Sequence, residues 1–365
     1  MFFDCAPKGS GSTTTVKTKR RGTLRVDIHC HYLNVEAAAK VKDRNPGQHE
    51  PSVRYANQLT RETNVKQMQE RAAKLSSIEV RLKDMDRMGI DVQAVSPAPN
   101  QTYYWTEPGE GQQLARMVNE RIAGIVAQWP ERFVGLGTVP LQDPDLAVSE
   151  LVFLVKTLGL RGVEINPSVN GMDLTDGRLS LDAFFGKAAE LGAVVFMHPI
   201  GFTHGERLLD HYFNNVIGNP LETTVAASHL IFDGVMERHP NLKVVLPHGG
   251  GYLAHYWARM DHAWRARPDC RVSIKKRKPS SYLEKFYFDT ITFDRGMLSH
   301  LVERFGADHV LLGTDYPYDM GVEDPLGFID KVPKLSASGK SKIMGGNAAR
   351  LLGIDYNKST RRSSK

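Results

Sequence analysis

Four short stretches of this sequence carry side chains with the chemistry of a metal site. RVDIHCHYL (25–33) sets His29 and His31 two residues apart at the end of an apolar, β-branched run. In a strand alternate side chains share a face, so these imidazoles point one way and Cys30 the other. Farther along, VVFMHP carries His198, VVLPHGGG carries His248 and VLLGTDYP carries Asp315. Imidazole nitrogens and a carboxylate oxygen, without thiolate, suit a borderline divalent cation such as zinc, with manganese or iron as alternatives. Singly, each residue has a plainer reading: an edge-strand histidine, a turn cap beside proline, or Gly-Thr-Asp opening a helix.

The stretches make one site only if the chain brings their ends together. Short apolar runs at Leu24 to His31, Val92 to Ser96, Phe133 to Val139, Gly162 to Asn166, Val194 to His198, Lys243 to His248, Tyr287 to Thr290 and Val310 to Asp315 read as strands. Between them apolar residues return three and four apart, predicting helices over Ile78 to Met88, Gly111 to Trp129, Asp145 to Leu158, Leu181 to Leu191, Thr223 to Arg238, Leu253 to Ala266 and Arg295 to Phe305. Strands alternating with helices describe an α/β fold with parallel strands: a (β/α)8 TIM barrel, or a doubly wound open sheet. In a barrel the strand C-termini face one pocket, and His29, His31, His198, His248 and Asp315 all stand at such ends. Jointly they favour a metal centre. Residues 34–77, with an amphipathic piece near Val65 to Leu75, and 199–221 are longer than ordinary connections. They are read as an inserted cap and a second loop over the same mouth.

With 365 residues, 41% hydrophobic and 24% charged, the composition is that of a soluble globular protein able to bury a large core. The barrel is expected over 23–355, with a flexible leader at 1–22 and a flexible tail at 356–365. No apolar run is long enough for a bilayer, and the start lacks the order of a secretory signal; the expectation is a cytoplasmic protein without a membrane partner. Cys5, Cys30 and Cys270 are too few and scattered for a disulfide framework or a cysteine zinc module. The net charge of +6 draws on Lys17, Lys19, Arg20, Arg21, the run KKRK at 275–278 and the terminal STRRSSK. Without interleaved aromatics or a recognised motif these are solvated loops and tails, and no nucleic-acid partner is expected.

The segments DIHCH, RLKDMDRMGIDVQAVS, PERFVGLGTVPLQDPDLAV, HP at 198, GNPLETT, PHGGG, GTDYP and GNAARLLG occur in that order. Through them the chain, from about Arg25 to Gly353, resembles the amidohydrolase superfamily. Within it the similarity is to the branch of α-amino-β-carboxymuconate-ε-semialdehyde decarboxylase and related aromatic-acid decarboxylases. The resemblance implies an amidohydrolase-like barrel with a small insertion after strand one. It further implies His29, His31, His198 and Asp315 as metal ligands and His248 as the catalytic histidine near metal-bound water. Arg259 would reach the substrate carboxylate of a neighbouring subunit, making a homodimer, unless it forms an ordinary helix-surface salt bridge.

The match is incomplete around the substrate. The family's substrate-binding arginine after strand one maps near Gln69, with Arg71 close by, and a tryptophan after strand five is replaced at about Asn215. Arg71 and Asn215 are therefore the candidate substrate contacts, and a substrate other than that semialdehyde is expected. Two-metal relatives bridge their ions with a modified lysine at strand four, but GVEIN has none. One divalent ion is expected, zinc ahead of manganese, and no organic cofactor. Glu164 is read as a structural or substrate-side carboxylate in preference to a metal bridge.

These features predict a carboxy-lyase of aromatic catabolism acting on an unsaturated or aromatic acid without oxidation. Metal-bound water, or a proton held between His248 and Asp315, would add at the carbon bearing the carboxylate, and CO2 would depart. The alternative is a hydrolase using the same ion on a lactone, an amide or a carbon–carbon bond. A nucleic-acid surface on a retired barrel is set aside because all five pocket residues are present.

Overall fold

The apolar runs become parallel strands in the computed structural model, which describes residues 14–16 and 23–356. In chain order the barrel strands are Val26–Tyr32 (β1), Val92–Pro97 (β2), Phe133–Gly135 (β3), Gly162–Ile165 (β4), Val194–Met197 (β5), Lys243–Leu246 (β6), Tyr287–Asp289 (β7) and Val310–Leu311 (β8). Each overlaps a run read from the sequence. Strands β1 to β3 pair as one parallel segment and β4 to β8 as another.

Backbone hydrogen bonds close both gaps between the segments. Gly137 bridges to Val163, its N–H donating to Gly162 O at 2.9 Å and its carbonyl accepting from Glu164 N at 2.7 Å. On the other side Cys30 bridges to Tyr316, with Ile28 N donating to Leu312 O at 2.9 Å and His31 N to Tyr316 O at 2.8 Å. The result is a (β/α)8 barrel, and closure pairs the backbone groups that an open sheet would expose at its edges.

Alternate strand residues divide between two cores. Val26, Ile28, Ala94, Leu136, Phe196, Val245 and Leu311 fill the barrel, with Ala348, Leu351 and Leu352 packed against them. The opposite faces, including Val95, Phe133, Val163, Val195, Val244 and Phe288, pack outward on the helices.

The principal helices are Val35–Val41 (α1), Gln58–Ser76 (α2), Ile78–Met88 (α3), Pro108–Gln128 (α4), Pro144–Lys156 (α5), Asp182–Leu191 (α6), Gly218–Phe232 (α7), Leu253–Ala266 (α8), Arg295–Phe305 (α9) and Asn347–Leu352 (α10), with shorter helical pieces between them. Ser77, Asp143 and Asp294 cap α3, α5 and α9 through their side chains, which satisfies otherwise orphaned N–H groups. The helix expected over Thr223 to Arg238 is two pieces, because Gly234 adopts φ 79° and ends the first turn sequence before Val235–Arg238. It also starts earlier, at Gly218, so the last residues of the expected loop 199–221 are helical; Pro220 is tolerated there because first-turn N–H groups have no intrahelical acceptor.

The segment 34–77 holds α1, the short helix Pro51–Arg54 and α2, of which only Leu75 is buried. It is tied to the segment after β5: Asn214 Nδ2 donates to Pro51 O at 2.6 Å, Ser52 N to Ile200 O at 3.0 Å, and Asn57 N to Leu209 O at 2.9 Å. The two long segments thus cover the same end of the barrel.

Thr14–Val16, inside the expected leader, instead pairs in parallel with Ile354–Tyr356, which also takes in the first residue of the expected tail. The remainder of the leader, with Lys17, Lys19, Arg20 and Arg21, and the stretch 357–365 with STRRSSK lie outside the described residues. The KKRK run is exposed, and its Lys278 pairs with Asp261 at 3.2 Å. Among the described residues no helix is long and apolar enough to cross a membrane.

Candidate metal centre

A bulge aims the first two histidines. Strand β1 pairs Asp27 with Gln93 but Cys30 with Val95, so one extra residue is accommodated between them. Such an insertion changes the alternation of faces: Ile28 stays in the barrel core, while His29 and His31 turn toward the open end. Their Nε2 atoms are 3.1 Å apart, with the rings edge to face at 5.0 Å.

Beneath them a buried network holds the backbone. Asp27 Oδ1 accepts from His29 N and Thr314 N, each at 3.1 Å, and Oδ2 accepts from Thr314 Oγ1 at 2.7 Å and Gln93 Nε2 at 2.9 Å. Arg81, fully buried, donates to Gln93 Oε1 at 3.1 Å and to the His31 carbonyl. Burial pushes the Asp27 carboxyl up to about 6 against the pull of these donors.

His198 follows the end of β5, and Asp315 follows β8 at φ 56°. His248 follows β6 at φ 55°, also left-handed; non-glycine residues hold this conformation when surrounding structure enforces it, often at functional sites. Here the enforcement comes from close packing of the glycines behind it. A Cβ on Gly250 would stand 2.5 Å from the Phe288 ring, and one on Gly251 2.4 Å from Pro220 O.

The ligand atoms of His29, His31, His198 and Asp315 all lie within 4.8 Å of one another, and the four side chains are buried; among the described residues no other histidine, cysteine or carboxylate group forms such a cluster. Asp315 Oδ1 is 3.2 Å from His29 Nε2 and 3.3 Å from His31 Nε2. Both ring nitrogens of His198 are buried without a hydrogen-bond partner. Buried imidazole nitrogens are normally satisfied, so orphaned nitrogens converging on a carboxylate fit a cation that accepts their lone pairs.

The outer contacts orient the rings. His29 Nδ1 lies 2.7 Å from Asp289 Oδ2, and Asp289 Oδ1 accepts from Gly249 N at 2.8 Å. His31 Nδ1 lies 3.1 Å from Pro97 O and 3.3 Å from Glu164 Oε2, which accepts from Ser96 Oγ at 2.5 Å. In each histidine the inner nitrogen is thereby left as Nε2, the arrangement that carboxylate-supported metal ligands use.

Charge follows the same logic. Burial depresses His198 well below its usual range, and the neighbouring His31 and His29 add to it, leaving a neutral imidazole. For His29 burial acts downward, but Asp315 and Asp289 overcome it and raise the ring to about 10. Two buried carboxylates against one ring demand positive charge, and a divalent ion supplies it in place of the proton.

A cavity of about 280 Å3 opens onto His198 and Asp315. Arg71 on α2 and Asn215 line it, and Arg71 is the one Lys or Arg side chain among its lining residues. Gln69 is exposed and does not line it. Arg259 is exposed on α8 and does not line the cavity of its own chain. His248 adjoins the cluster, with Nε2 3.9 Å from Asp315 Oδ2. Glu164 is fully buried against His31 and lies outside the four-ligand cluster.

Sequence reasoning missed Asp289, Asp27 and Arg81. Asp289 had a signal, since YFDT places it at the end of β7 just as GTDYP places Asp315 after β8. The others lack one, because burial of an aspartate inside β1 or an arginine inside α3 depends on partners far along the chain.

The amidohydrolase family profile matches residues 26–354. The chain is 37% identical over 280 residues to 2-amino-3-carboxymuconate-6-semialdehyde decarboxylase of Dictyostelium discoideum, covering 77% of each. Its fold superposes on 5-carboxyvanillate decarboxylase from Sphingomonas paucimobilis with a TM-score of 0.82 and 26% identity, covering 92% of this chain and all of that one. A dihydroxybenzoic acid decarboxylase from Polaromonas sp. JS666, crystallised with manganese and 2-nitroresorcinol, matches in fold with a TM-score of 0.74 at 24% identity, covering 91% and 97%.

Proposed function

Because the chain belongs to the amidohydrolase family, we propose that it is a metal-dependent decarboxylase releasing CO2 without oxidation from an unsaturated or aromatic carboxylic acid. The observation that carries this reading is the convergence of His29, His31, His198 and Asp315, with orphaned ring nitrogens, at the wall of a cavity holding a single arginine.

When bound, a divalent ion supplies Lewis acidity that draws electron density from substrate oxygens. The chain's own residues do the rest. Arg71 offers the cavity's guanidinium to a carboxylate, a bidentate fit for a planar anion, and Asn215 offers a carboxamide from the facing segment. Asp315 keeps Oδ1 on the ligand side and turns Oδ2 toward His248. His248 and Asp315 together hold a proton for delivery to the carbon that bears the carboxylate. Protonation there allows the carbon–carbon bond to break, its electron pair restoring the double bond as CO2 leaves.

The nitrogen-rich donor set favours zinc, and manganese is the competitor, having been bound in the Polaromonas enzyme of the same fold. Arg259, exposed on α8, is assigned to the cavity of a second copy in a homodimer. The reading is tested by incubating metal-loaded protein with hydroxybenzoates, aminobenzoates and muconate semialdehydes while measuring CO2. Stoichiometric CO2 from one class supports it. Hydrolysis of lactones or amides without CO2 from any acid overturns it.

A further inference from the structure

Segment 34–77 supplies two charged side chains to the metal-side cavity, whose lining also includes Asp315 and Asp319. Arg71 comes from α2, and its buried Nε has no hydrogen-bond partner. Glu50 stands immediately before the short helix Pro51–Arg54, where its carbonyl accepts from Val53 N at 3.0 Å and Arg54 N at 2.8 Å. These bonds fix its backbone, so the direction of its side chain is set by the fold and not by a mobile loop.

The two charges face different ways. Arg71 also lines a cavity walled by Tyr316, Pro317 and Asp319, after β8. Glu50 also lines a larger polar cavity of about 580 Å3, with Asn100, Thr102 and Asn166. The metal-side cavity lies between, with Arg71 and Asp319 toward one flank and Glu50 toward the other. Glu50 receives one hydrogen bond from the described residues, from Asn100 Nδ2 at 3.2 Å. A carboxylate has about four lone-pair sites, so most of its accepting capacity remains for whatever enters. Burial raises its pKa, as expected of a carboxylate held short of donors.

Building on the decarboxylase reading, we infer that Glu50 is a specificity-determining residue: it accepts a hydrogen bond from a hydroxyl or amino substituent of the substrate, on the side away from Arg71. An acid bearing such a donor satisfies both Arg71 and Glu50. An ether or nitro group in the same place leaves the carboxylate facing another acceptor, which costs the hydrogen bond and adds repulsion. The cap therefore reads the substituent while the barrel ends carry the chemistry.

The test is equilibrium binding by calorimetry to the metal-loaded protein, using matched benzoates: 3- and 4-hydroxy and 3- and 4-amino acids against the corresponding methoxy acids. The donor-bearing member of at least one pair is expected to bind at least about tenfold tighter, as a hydrogen bond to a charged group allows. That ratio should fall to about two or less in Glu50→Ala, and vanish or invert in Glu50→Gln, whose amide can donate to the methoxy oxygen. Arg71→Gln should weaken both members alike and keep the ratio. A ratio unchanged in both Glu50 variants overturns the assignment, whether or not CO2 is released. A Glu50-dependent ratio in a protein that releases CO2 from none of the benzoates and none of the muconate semialdehydes supports the assignment and overturns the decarboxylase reading alone.

Discussion

His248 Nε2 lies 3.9 Å from Asp315 Oδ2, while the other oxygen of the same carboxylate stands 3.2 and 3.3 Å from the inner nitrogens of His29 and His31. One side chain thus faces the candidate ligand cluster and a further histidine at once. The left-handed backbone at both residues, φ 55° and 56°, turns each sharply out of its strand exit toward the other.

The division of labour between these two residues is separable. His248→Ala should keep a full complement of metal by elemental analysis and lose about 10²–10⁴-fold in kcat, the usual range for a removed acid–base group. Asp315→Asn should lose metal and turnover together. A His248→Ala protein retaining wild-type kcat would remove that residue from the proton path.

Asp289 is not among the residues lining the metal-side cavity, yet its Oδ2 lies 2.7 Å from His29 Nδ1. Asp289→Asn should weaken metal binding about 10–100-fold, as loss of such supporting carboxylates does. Competition against a chromophoric chelator reads this directly, and an unchanged dissociation constant would assign Asp289 to the fold alone.

Stripping the ion should abolish CO2 release and lower the melting temperature. An ion present at a hundred times its dissociation constant contributes about 2.7 kcal/mol to the folded state. Both activity and melting temperature should return on adding zinc or manganese. Full activity after exhaustive chelation and confirmed absence of metal would refute a metal-dependent reaction.

On the outer ring of helices, Asp182 at the start of α6 accepts from Arg238 Nε at 2.9 Å and lies 3.1 Å from His239 Nε2. Partial burial opposes its ionisation, but Arg238 and His239 outweigh this and depress its pKa. The folded value then lies below the unfolded one of about 3.9, so the contact stabilises above that pH and is lost as pH falls through the folded value. Asp182→Asn should flatten this acid limb by less than about 1 kcal/mol, since the group is more than half exposed. Denaturant unfolding between about pH 5 and about pH 2, a span that takes in the unfolded value and reaches below it, checks the slope.

Much of the site was legible before any coordinates. Strand periodicity is local, so the spacing of His29 and His31 already implied a shared face, and short β-branched runs ending in His198, His248 and Asp315 already implied one rim. Helix boundaries at Ile78–Met88, Leu253–Ala266 and Arg295–Phe305 follow from apolar spacing between capping and breaking residues, and they match the structure end for end.

Other features needed the folded chain. Gln69 and Arg71 sit two positions apart on α2, about 200° around a helix of 3.6 residues per turn, and only the docking of α2 chose Arg71 for the cavity. The bulge between Asp27 and Cys30 arises from how β1 pairs with β2, which sequence spacing does not encode. Arg81 and Asp27 are buried because Gln93 and Thr314 complete their hydrogen bonds from distant parts of the chain. The sequence alone determined that strand ends present His29, His31, His198, His248 and Asp315, because strand periodicity depends on neighbours a few residues away. Tertiary structure decided which charges line the cavity and which carboxylates support the ligands, because those depend on barrel closure and on the rotational phase at which each helix packs.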